Sequence, residues 1–219
     1  MPWQNSGDNM KATLLEYMGD DMTVADAARV SFDKRAGDFS PEQNVKLIKY
    51  LADHGHYSPF GHCFASFHVK APVFVRSQLV KHEYLRMNEV SRRYVDTSPE
   101  FYEPKVWRGR ATDKKQGSGE EVDDTEKWLY DTYKVTVEEC LSSYEYLLEK
   151  GVAPEMARMV LPQSMYTEWY WSGSLDAFAN MCKLRCKPDT QEETRLIAQQ
   201  ISEQMEARFP VAWKALLCK

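Results

Sequence analysis

The sequence contains no run of about 18 apolar residues, which is the length that a helix needs to cross a bilayer. Its N-terminus, MPWQNSGDNM, lacks the apolar centre of a signal peptide, so the sequence does not predict export. The five cysteines are an odd number, which disfavours a disulfide framework. We therefore expect a cytoplasmic protein with reduced thiols and no membrane partner.

Several motifs that identify common enzyme classes are also missing. There is no G-x-G-x-x-G or Walker A loop, so a standard phosphate loop would not hold a bound nucleotide. There is no G-x-S-x-G elbow and no recognisable activated cysteine. The formal net charge of −5 argues against a general affinity for nucleic acid. Chemistry in this chain would depend on a cofactor and on positioned side chains.

Two groups of potential metal ligands lack the spacing of a metal site. Cys182 and Cys186 are four residues apart without a second cysteine or histidine pair nearby, which favours small buried hydrophobic residues over a zinc site. His54, His56 and His62 are close in sequence but contain no HEXXH pattern. Histidines near a helix C-terminus interact favourably with the helix dipole, which is the simpler interpretation. We expect no metal.

The composition is sufficient for a folded core, with 43% hydrophobic and 12% aromatic residues. A length of 219 residues predicts a single domain over residues 1–219. Residues 1–10 are expected to form a frayed, flexible leader, with Met10 as the candidate start of the ordered chain. Helix and strand patterns are mixed without βαβ alternation, which predicts the α+β class.

Local signals predict most of the elements. Ser40 and Gln43 form a capping box before a helix, and Thr190 and Glu193 predict a second capping box before RLIAQQISEQMEARF. Residues 103–125 are polar and rich in breakers, which predicts a surface loop. Further helices are expected at 72–82, 124–150 and 174–184, and strands at 63–71 and 165–173.

Positive charge is concentrated in and around the segment LVKHEYLRMNEVSRRYV, residues 79–95. Residues 76–93 carry five basic and two acidic side chains, a net +3 within a chain of −5: Arg76, Lys81, Arg86, Arg92 and Arg93 against Glu83 and Glu89. Arginine suits a phosphate because its planar fork donates two parallel hydrogen bonds. Charge alone leaves two interpretations open, a solvated face with salt bridges and a site for a small anion.

The same segment contains Lys81-His82-Glu83, then seven residues, then Ser91, with Asn88, Glu89, Arg93 and Tyr94 around the serine. This arrangement resembles the signature of the flavin-dependent thymidylate synthases of the ThyX type, R-H-R-x-x-x-x-N-E-x-S-x-R-Y. Other blocks resemble the family in the family's order: AARVSFD, HGHYSPFGH, FHVKAPVFVRSQ, SPEFY, ARMVLPQSMYTEWYW and LRCKPDTQEETR. The resemblance covers most of residues 11–210.

The resemblance implies a fold and a reaction. The implied fold is a curved antiparallel sheet wrapped by long helices, in a homotetramer with its active sites at subunit interfaces. The implied reaction transfers a methylene from 5,10-methylene-tetrahydrofolate to C5 of dUMP. FAD is the implied cofactor, with its reduced form supplying the hydride and NADPH re-reducing it. Two alternatives stay open: methylation or hydroxymethylation of another pyrimidine deoxynucleotide such as dCMP, and a catalytically inactive nucleotide-binding homologue.

The resemblance also implies roles for individual residues where positions match. The implied substrate-binding residues are Gln78, Lys81, Glu89, Ser91, Arg93, Arg158 and Arg185. The implied flavin-site residues are Ser31, His56, Ser58, Lys81, His82, Glu83, Glu89 and Asn180. The implied catalytic residues are Arg185, Ser91 and His56, where Arg185 would face the pyrimidine ring and stabilise negative charge that develops on it.

Each assignment has a structural alternative. Ser31 and Ser58 could be cap or turn residues, and Asn180 could lie on a helix surface. Arg158 and Arg185 could be ordinary salt-bridge partners.

The sequence departs from the family pattern at three positions. Lys81 replaces an arginine and loses its planar fork, and Glu83 reverses the charge of another. Arg86 or Arg76 could offset Glu83. Asp189 stands where some members have histidine, and we expect it to cap the last long helix.

Overall fold

The computed structural model describes residues 9–95, 97–112 and 117–218. The elements in chain order are β1 (Lys11–Met18), α1 (Asp21–Arg29), α2 (Pro41–Asp53), β2 (Phe64–Pro72), α3 (Val73–Leu79), β3 (Leu85–Glu89), β4 (Arg108–Arg110), β5 (Ser118–Glu121), α4 (Trp128–Glu149), α5 (Pro154–Ala157), β6 (Tyr166–Ser174), α6 (Leu175–Arg185), α7 (Glu192–Arg208) and α8 (Pro210–Leu217). Short 3-10 turns cover Val30–Phe32, Ala36–Asp38, Ser58–His62 and Arg158–Val160.

Four strands form an antiparallel sheet in the order β1-β2-β6-β3. The long strands β2 and β6 occupy its centre, with Phe67 opposite Trp171. Strands β4 and β5 form a separate two-stranded hairpin. This mixed architecture with an antiparallel sheet confirms the predicted α+β class.

The sheet buries one face, because side chains alternate along each strand. Phe67 and Val69 of β2 and Trp169 and Trp171 of β6 are buried. The Phe178 ring of α6 contacts this face with its centroid 5.2 Å from that of Phe67, in an edge-to-face arrangement. The opposite face is polar and partly exposed, so the helices pack against one side only.

Helix α7 also holds the edge strand β1. The Gln200 and Gln204 side-chain oxygens each accept a hydrogen bond at 2.8 Å, from the backbone N–H of Ala12 and of Leu14 respectively. An exposed edge strand invites pairing with another chain, and these glutamines occupy part of that edge. The helix therefore contributes both core packing and edge protection.

The predicted capping box at Ser40 is confirmed. The Gln43 N–H donates to Ser40 Oγ at 3.3 Å, and the Ser40 N–H donates to Gln43 Oε1 at 2.9 Å. The second predicted box is wrong, because α7 begins at Glu192 after Gln191 and has no side-chain cap. The Glu193 carboxylate instead accepts hydrogen bonds from distant side chains, which a local pattern cannot indicate. Asp189 does not cap this helix either.

Element boundaries in the middle of the chain also differ from expectation. The segment 103–125 contains the β4–β5 hairpin rather than only loop. The long helix begins at Trp128 rather than near Asp124. The Asp124 carboxylate lies before the helix and accepts hydrogen bonds from the N–H groups of Leu129 and Tyr130 at 2.9 and 3.0 Å. The helix predicted at 72–82 ends at Leu79.

The N-terminal prediction is corrected in part. Met10 is buried in the hydrophobic core, so it cannot belong to a flexible leader. Residues 1–8 of the predicted leader lie outside the described residues. No helix within the described ranges has the length and apolar character of a bilayer-crossing segment.

Gly173 permits the close pairing of β3 with β6. Leu85 lies opposite Gly173 in the register, and a Cβ at this glycine would stand 2.4 Å from Leu85 Cδ2 and 3.0 Å from the Tyr84 carbonyl oxygen. Tyr84 itself has a φ of 62°, in the left-handed region, where the chain turns into β3. The close pairing of β3 with β6 therefore depends on a glycine, which has no side chain, at position 173.

We predict that Gly173→Ala destabilises the fold by about 2 kcal/mol, because Leu85 and the backbone at Tyr84 must move away from the added methyl group. Urea denaturation measures the change. Gly37→Ala is the matched control, since a Cβ at Gly37 would meet no atom within 4 Å. Equal free energies of unfolding for the two variants would contradict the close approach.

Candidate active site

The residues singled out from the sequence occupy two cavities near the two ends of β3. The first, the Gln78 cavity, has a volume of about 770 Å³ and is lined by Gln78, Lys81 and Arg185 among others. The second, the Ser91 cavity, has a volume of about 660 Å³ and is lined by residues that follow β3. The two linings adjoin along the chain, since Val73 and Gln163 of the Ser91 cavity are followed by Phe74 and Ser164 of the Gln78 cavity.

Arg185 is held by two contacts at the end of α6. Its Nε donates to His82 Nε2 at 2.9 Å, and its Nη2 donates to the Gln78 carbonyl oxygen at 3.1 Å. It has no carboxylate partner within the described residues, so the salt-bridge alternative does not explain its position. Burial lowers the pKa of its guanidinium, which nevertheless stays charged. A fixed cation therefore faces the Gln78 cavity.

His82 is neutral near pH 7 because it is half-buried and lies beside this cation. Burial first, and the positive charge of Arg185 second, lower its pKa from 6.5 to about 4. Its Nε2 accepts from Arg185, so the ring proton of the neutral form resides on Nδ1. His82 is thus a hydrogen-bond donor at Nδ1 and supplies no positive charge near neutral pH.

The Ser91 cavity has the character of an anion site. It is lined by Ser91, Arg92, Arg93 and Arg158. Arg93 Nε donates to Ser91 Oγ at 3.2 Å, Arg158 Nε donates to the Glu155 carbonyl oxygen at 3.3 Å, and Arg92 donates to a backbone carbonyl. Within the described parts of the chain, none of the three arginines contacts a carboxylate, and guanidinium groups in that situation suit a phosphate.

Glu89 lines the same cavity, but a neighbour offsets its charge. Arg76 Nη2 donates to Glu89 Oε2 at 2.8 Å, and Thr167 Oγ1 donates to Glu89 Oε1 at 2.9 Å. Each carboxylate oxygen therefore accepts one hydrogen bond from the protein and keeps a lone pair for a further donor. Glu89 is therefore compatible with an anion site, because its pairing with Arg76 removes most of the repulsion between its carboxylate and a bound anion.

Glu83 has a different environment. It is exposed in the turn between α3 and β3, and no ion pair or hydrogen bond to its side chain is found in the described residues. The two arginines considered as compensation do not contact it: Arg76 pairs with Glu89, and Arg86 is exposed on β3. Its negative charge therefore stays uncompensated within one chain.

The remaining residues expected at a flavin site lie outside both cavities. Ser31, His56, Ser58 and Asn180 are all exposed. The two hydroxyls and the amide make no side-chain hydrogen bond in the described chain, so the serines do not act as caps there. Ser31 and Ser58 lie in 3-10 turns and Asn180 lies on the surface of α6, as their structural alternatives predicted. Exposed apolar residues accompany them: Ser31 stands between Val30 and Phe32, which are 70% and 77% exposed. The three expected catalytic residues, Arg185, Ser91 and His56, do not come together within one chain.

The structure adds functional candidates that sequence analysis missed. Gln191 lines the Gln78 cavity and accepts a hydrogen bond from the Gln78 side chain. Arg108, from the hairpin, lines the same cavity and pairs with Glu192 at 2.7 Å and with the buried Glu193 at 2.5 Å. The LRCKPDTQEETR block contained Gln191, but spacing alone gave no indication of its partner.

Comparisons with known proteins show the family and the fold. The family model described as "Thymidylate synthase complementing protein" matches residues 13–211. A flavin-dependent thymidylate synthase from Thermus thermophilus is 42% identical over 92% of this chain and 73% of its own length. Another from Kosmotoga olearia is 41% identical over 93% and 88%. The crystal structure of a UMP/dUMP methylase, PolB from Streptomyces cacaoi with bound 5-Br dUMP, superposes with a TM-score of 0.83 at 29% identity and covers 94% of both chains.

The depressed pKa of His82 predicts a pH dependence of stability. Between pH 6.5 and about 4 the unfolded chain binds a proton at this residue and the folded protein does not, so stability falls as the pH falls through this interval. Above pH 6.5 both states are neutral at His82 and the effect disappears. We expect the loss of unfolding free energy between pH 7.5 and pH 5 to be smaller in His82→Gln than in the unaltered protein.

Urea denaturation at the two pH values measures this difference, and the exposed His62→Gln serves as control. A direct check is the NMR titration of the His82 imidazole in the unaltered protein. A midpoint near 6.5 would contradict the contact with Arg185.

Proposed function

The chain belongs to the thymidylate synthase complementing protein family, and on that premise we propose that it is a flavin-dependent thymidylate synthase that methylates dUMP to dTMP. The observation that carries the proposal is the pair of cavities at the ends of β3. One presents arginines without carboxylate partners, and the other presents a fixed cation beside an amide. A nucleoside monophosphate needs both, an anion site for its phosphate and a polar site for its base.

In this proposal the Ser91 cavity binds the phosphate. Arg93 and Arg158 donate to its oxygens, since their guanidinium groups have no competing carboxylate in the described chain. Ser91 supplies a hydroxyl donor, and its contact with Arg93 sets the direction of that guanidinium. Glu89, neutralised by Arg76, then accepts from a substrate hydroxyl.

The Gln78 cavity binds the pyrimidine ring. C5 of the ring attacks the methylene group of methylene-tetrahydrofolate when the ring carries enolate-like negative charge, which the attack then consumes. Arg185 stabilises that charge, and its two hydrogen bonds hold it in place before the reaction begins. Because Arg185 is partly buried, its charge acts through fewer water molecules than that of an exposed residue.

We infer that each complete site uses two chains of a homotetramer. The phosphate residues and the base residues of a single chain line different cavities. Joining the Ser91 cavity of one chain to the Gln78 cavity of another gives one site with all the expected ligands. Homotetrameric assembly and a cytoplasmic location stay predictions.

The residues expected to hold FAD fit such a group in chemical kind. The exposed Asn180, Ser31 and Ser58 carry hydrogen-bonding groups without protein partners in the described chain, and Lys81 offers a cation for a phosphate. The exposed Phe32 beside Ser31 offers an apolar surface for a ring. When bound, the flavin supplies the reducing electrons, with NADPH as their source. The neutral His82 offers an N–H donor without adding positive charge.

The proposed activity predicts a specific product. Purified protein with dUMP, methylene-tetrahydrofolate, FAD and NADPH is expected to form dTMP, identified by mass spectrometry. Arg158→Ala is expected to raise KM for dUMP by about 30-fold, the free energy of a charged hydrogen bond, while the exposed Arg110→Ala on the hairpin leaves it unchanged.

UMP and dCMP, offered separately, test the alternatives. If only dCMP gives a product, the proposed substrate is a cytosine nucleotide rather than a uracil nucleotide. A colourless protein that fails to bind added FAD, with no turnover of any nucleotide, would indicate a catalytically inactive binding protein.

Glu83 predicts a weaker flavin affinity than an arginine would give. We expect Glu83→Arg to tighten FAD binding by about tenfold, because the change replaces repulsion of the diphosphate by attraction. Fluorescence titration at low salt measures the affinity, and Glu203→Arg, an exposed position on α7, controls for net charge. An unchanged affinity would place Glu83 outside the electrostatic reach of the flavin.

A further inference from the structure

Two glutamine side chains are paired at the base end of the site. Gln78 Nε2 donates a hydrogen bond to Gln191 Oε1, and both residues line the Gln78 cavity. The Gln78 backbone carbonyl also holds Arg185. Gln78 therefore contacts both Arg185, through its backbone carbonyl, and Gln191, through its side-chain amide.

The pairing fixes which way round the Gln78 amide lies. An amide has a carbonyl acceptor and an amino group with two N–H donors. One donor is used by Gln191, which leaves the carbonyl and the second N–H to face a ligand. A reversed Gln78 amide would set its carbonyl against the Gln191 carbonyl, where two acceptors repel.

Uracil and cytosine differ at the edge that such an amide can read. Uracil has a donor at N3 and an acceptor at O4, whereas cytosine has an acceptor at N3 and a donor at N4. A fixed carbonyl opposite N3–H and a fixed N–H opposite O4 match uracil. The same orientation sets acceptor against acceptor and donor against donor for cytosine, and such a mismatch leaves polar groups unpaired.

We propose that Gln191 is a positioning residue that holds the Gln78 amide in the orientation that accepts uracil and rejects cytosine. The inference rests on the proposed function, because it assumes that the base binds in the Gln78 cavity. Gln191 acts through Gln78 and need not touch the substrate.

The segment that carries Gln191 is tied to the rest of the cavity. Asp189 and Glu193 flank Gln191 in sequence, and both line the same cavity. Arg108 and Tyr102 hold Glu193 in place, with contacts of 2.5 and 2.9 Å to Glu193 Oε1. The start of α7, next to Gln191, is thus connected to the hairpin.

The test compares nucleotide binding in three variants. Gln191→Met removes the acceptor and frees the Gln78 amide to turn, whereas Gln191→Glu keeps an acceptor at that position. Gln199→Met makes the same substitution at an exposed position on α7. Isothermal titration at pH 8 gives the Kd of dUMP and of dCMP for each holoenzyme, and steady-state kinetics give KM and kcat.

We expect Gln191→Met to lower the preference for dUMP over dCMP, the ratio of the two Kd values, by about tenfold, the free energy of one hydrogen bond. Its KM for dUMP should rise more than its kcat falls. Gln191→Glu and Gln199→Met should keep the preference of the unaltered protein. A Gln191→Met protein with an unchanged preference would overturn the proposal, as would a Gln191→Glu protein that loses it.

These outcomes are separable from failure of the proposed function. If the unaltered protein prefers dUMP but forms no dTMP, the proposed activity fails while the comparison of preferences still decides the role of Gln191. If the unaltered protein prefers dUMP and forms dTMP but Gln191→Met keeps that preference, the inference fails by itself. A protein that binds neither nucleotide, or binds dCMP more tightly, contradicts both the inference and the proposed function.

Discussion

The pairing of β3 with β6 is the contact on which the arrangement of both cavities depends. It requires Gly173, because any side chain there would meet Leu85 and the backbone of the preceding turn. With β3 in place, the residues that precede it, Gln78 and His82, contact Arg185. The residues that follow it line a cavity with Arg158. One continuous segment of sequence thereby contributes residues to both cavities.

Charge pairing then determines which basic residues are available for an anion. Of the acids that line the Ser91 cavity, Glu89 pairs with Arg76, and Glu100 and Glu168 pair with Lys70, so none of them contacts the arginines of that cavity within the described residues. A segment that carries a net positive charge thus separates into residues that stabilise the fold and residues that keep their donors for a ligand. Glu83 takes no part in this pairing in the described chain. Its carboxylate is exposed on the surface where a second chain and a flavin are expected.

Local signals predicted the elements well where the deciding contacts are local. The Ser40 capping box forms because both partners lie within one turn. The equivalent pattern at Thr190 and Glu193 fails because Glu193 forms an ion pair with Arg108, 85 residues earlier in the chain. Thr190 is also used elsewhere, since its Oγ1 donates to the Leu184 carbonyl oxygen at 3.1 Å, so neither residue of the predicted box caps the helix. The hairpin that carries Arg108 was missed for the same reason.

The sequence by itself determined the α+β class, the family and the residue types at the site, since these depend on periodicity, local caps and matched blocks. Only the tertiary structure decided which residues act together. It placed Gln78 with Gln191 and Arg185, and Ser91 with Arg158, because strand pairing and helix packing join residues more than 60 positions apart. Spacing along the chain contains no information about such contacts, and the orientation of an amide or the protonation of a histidine depends on them.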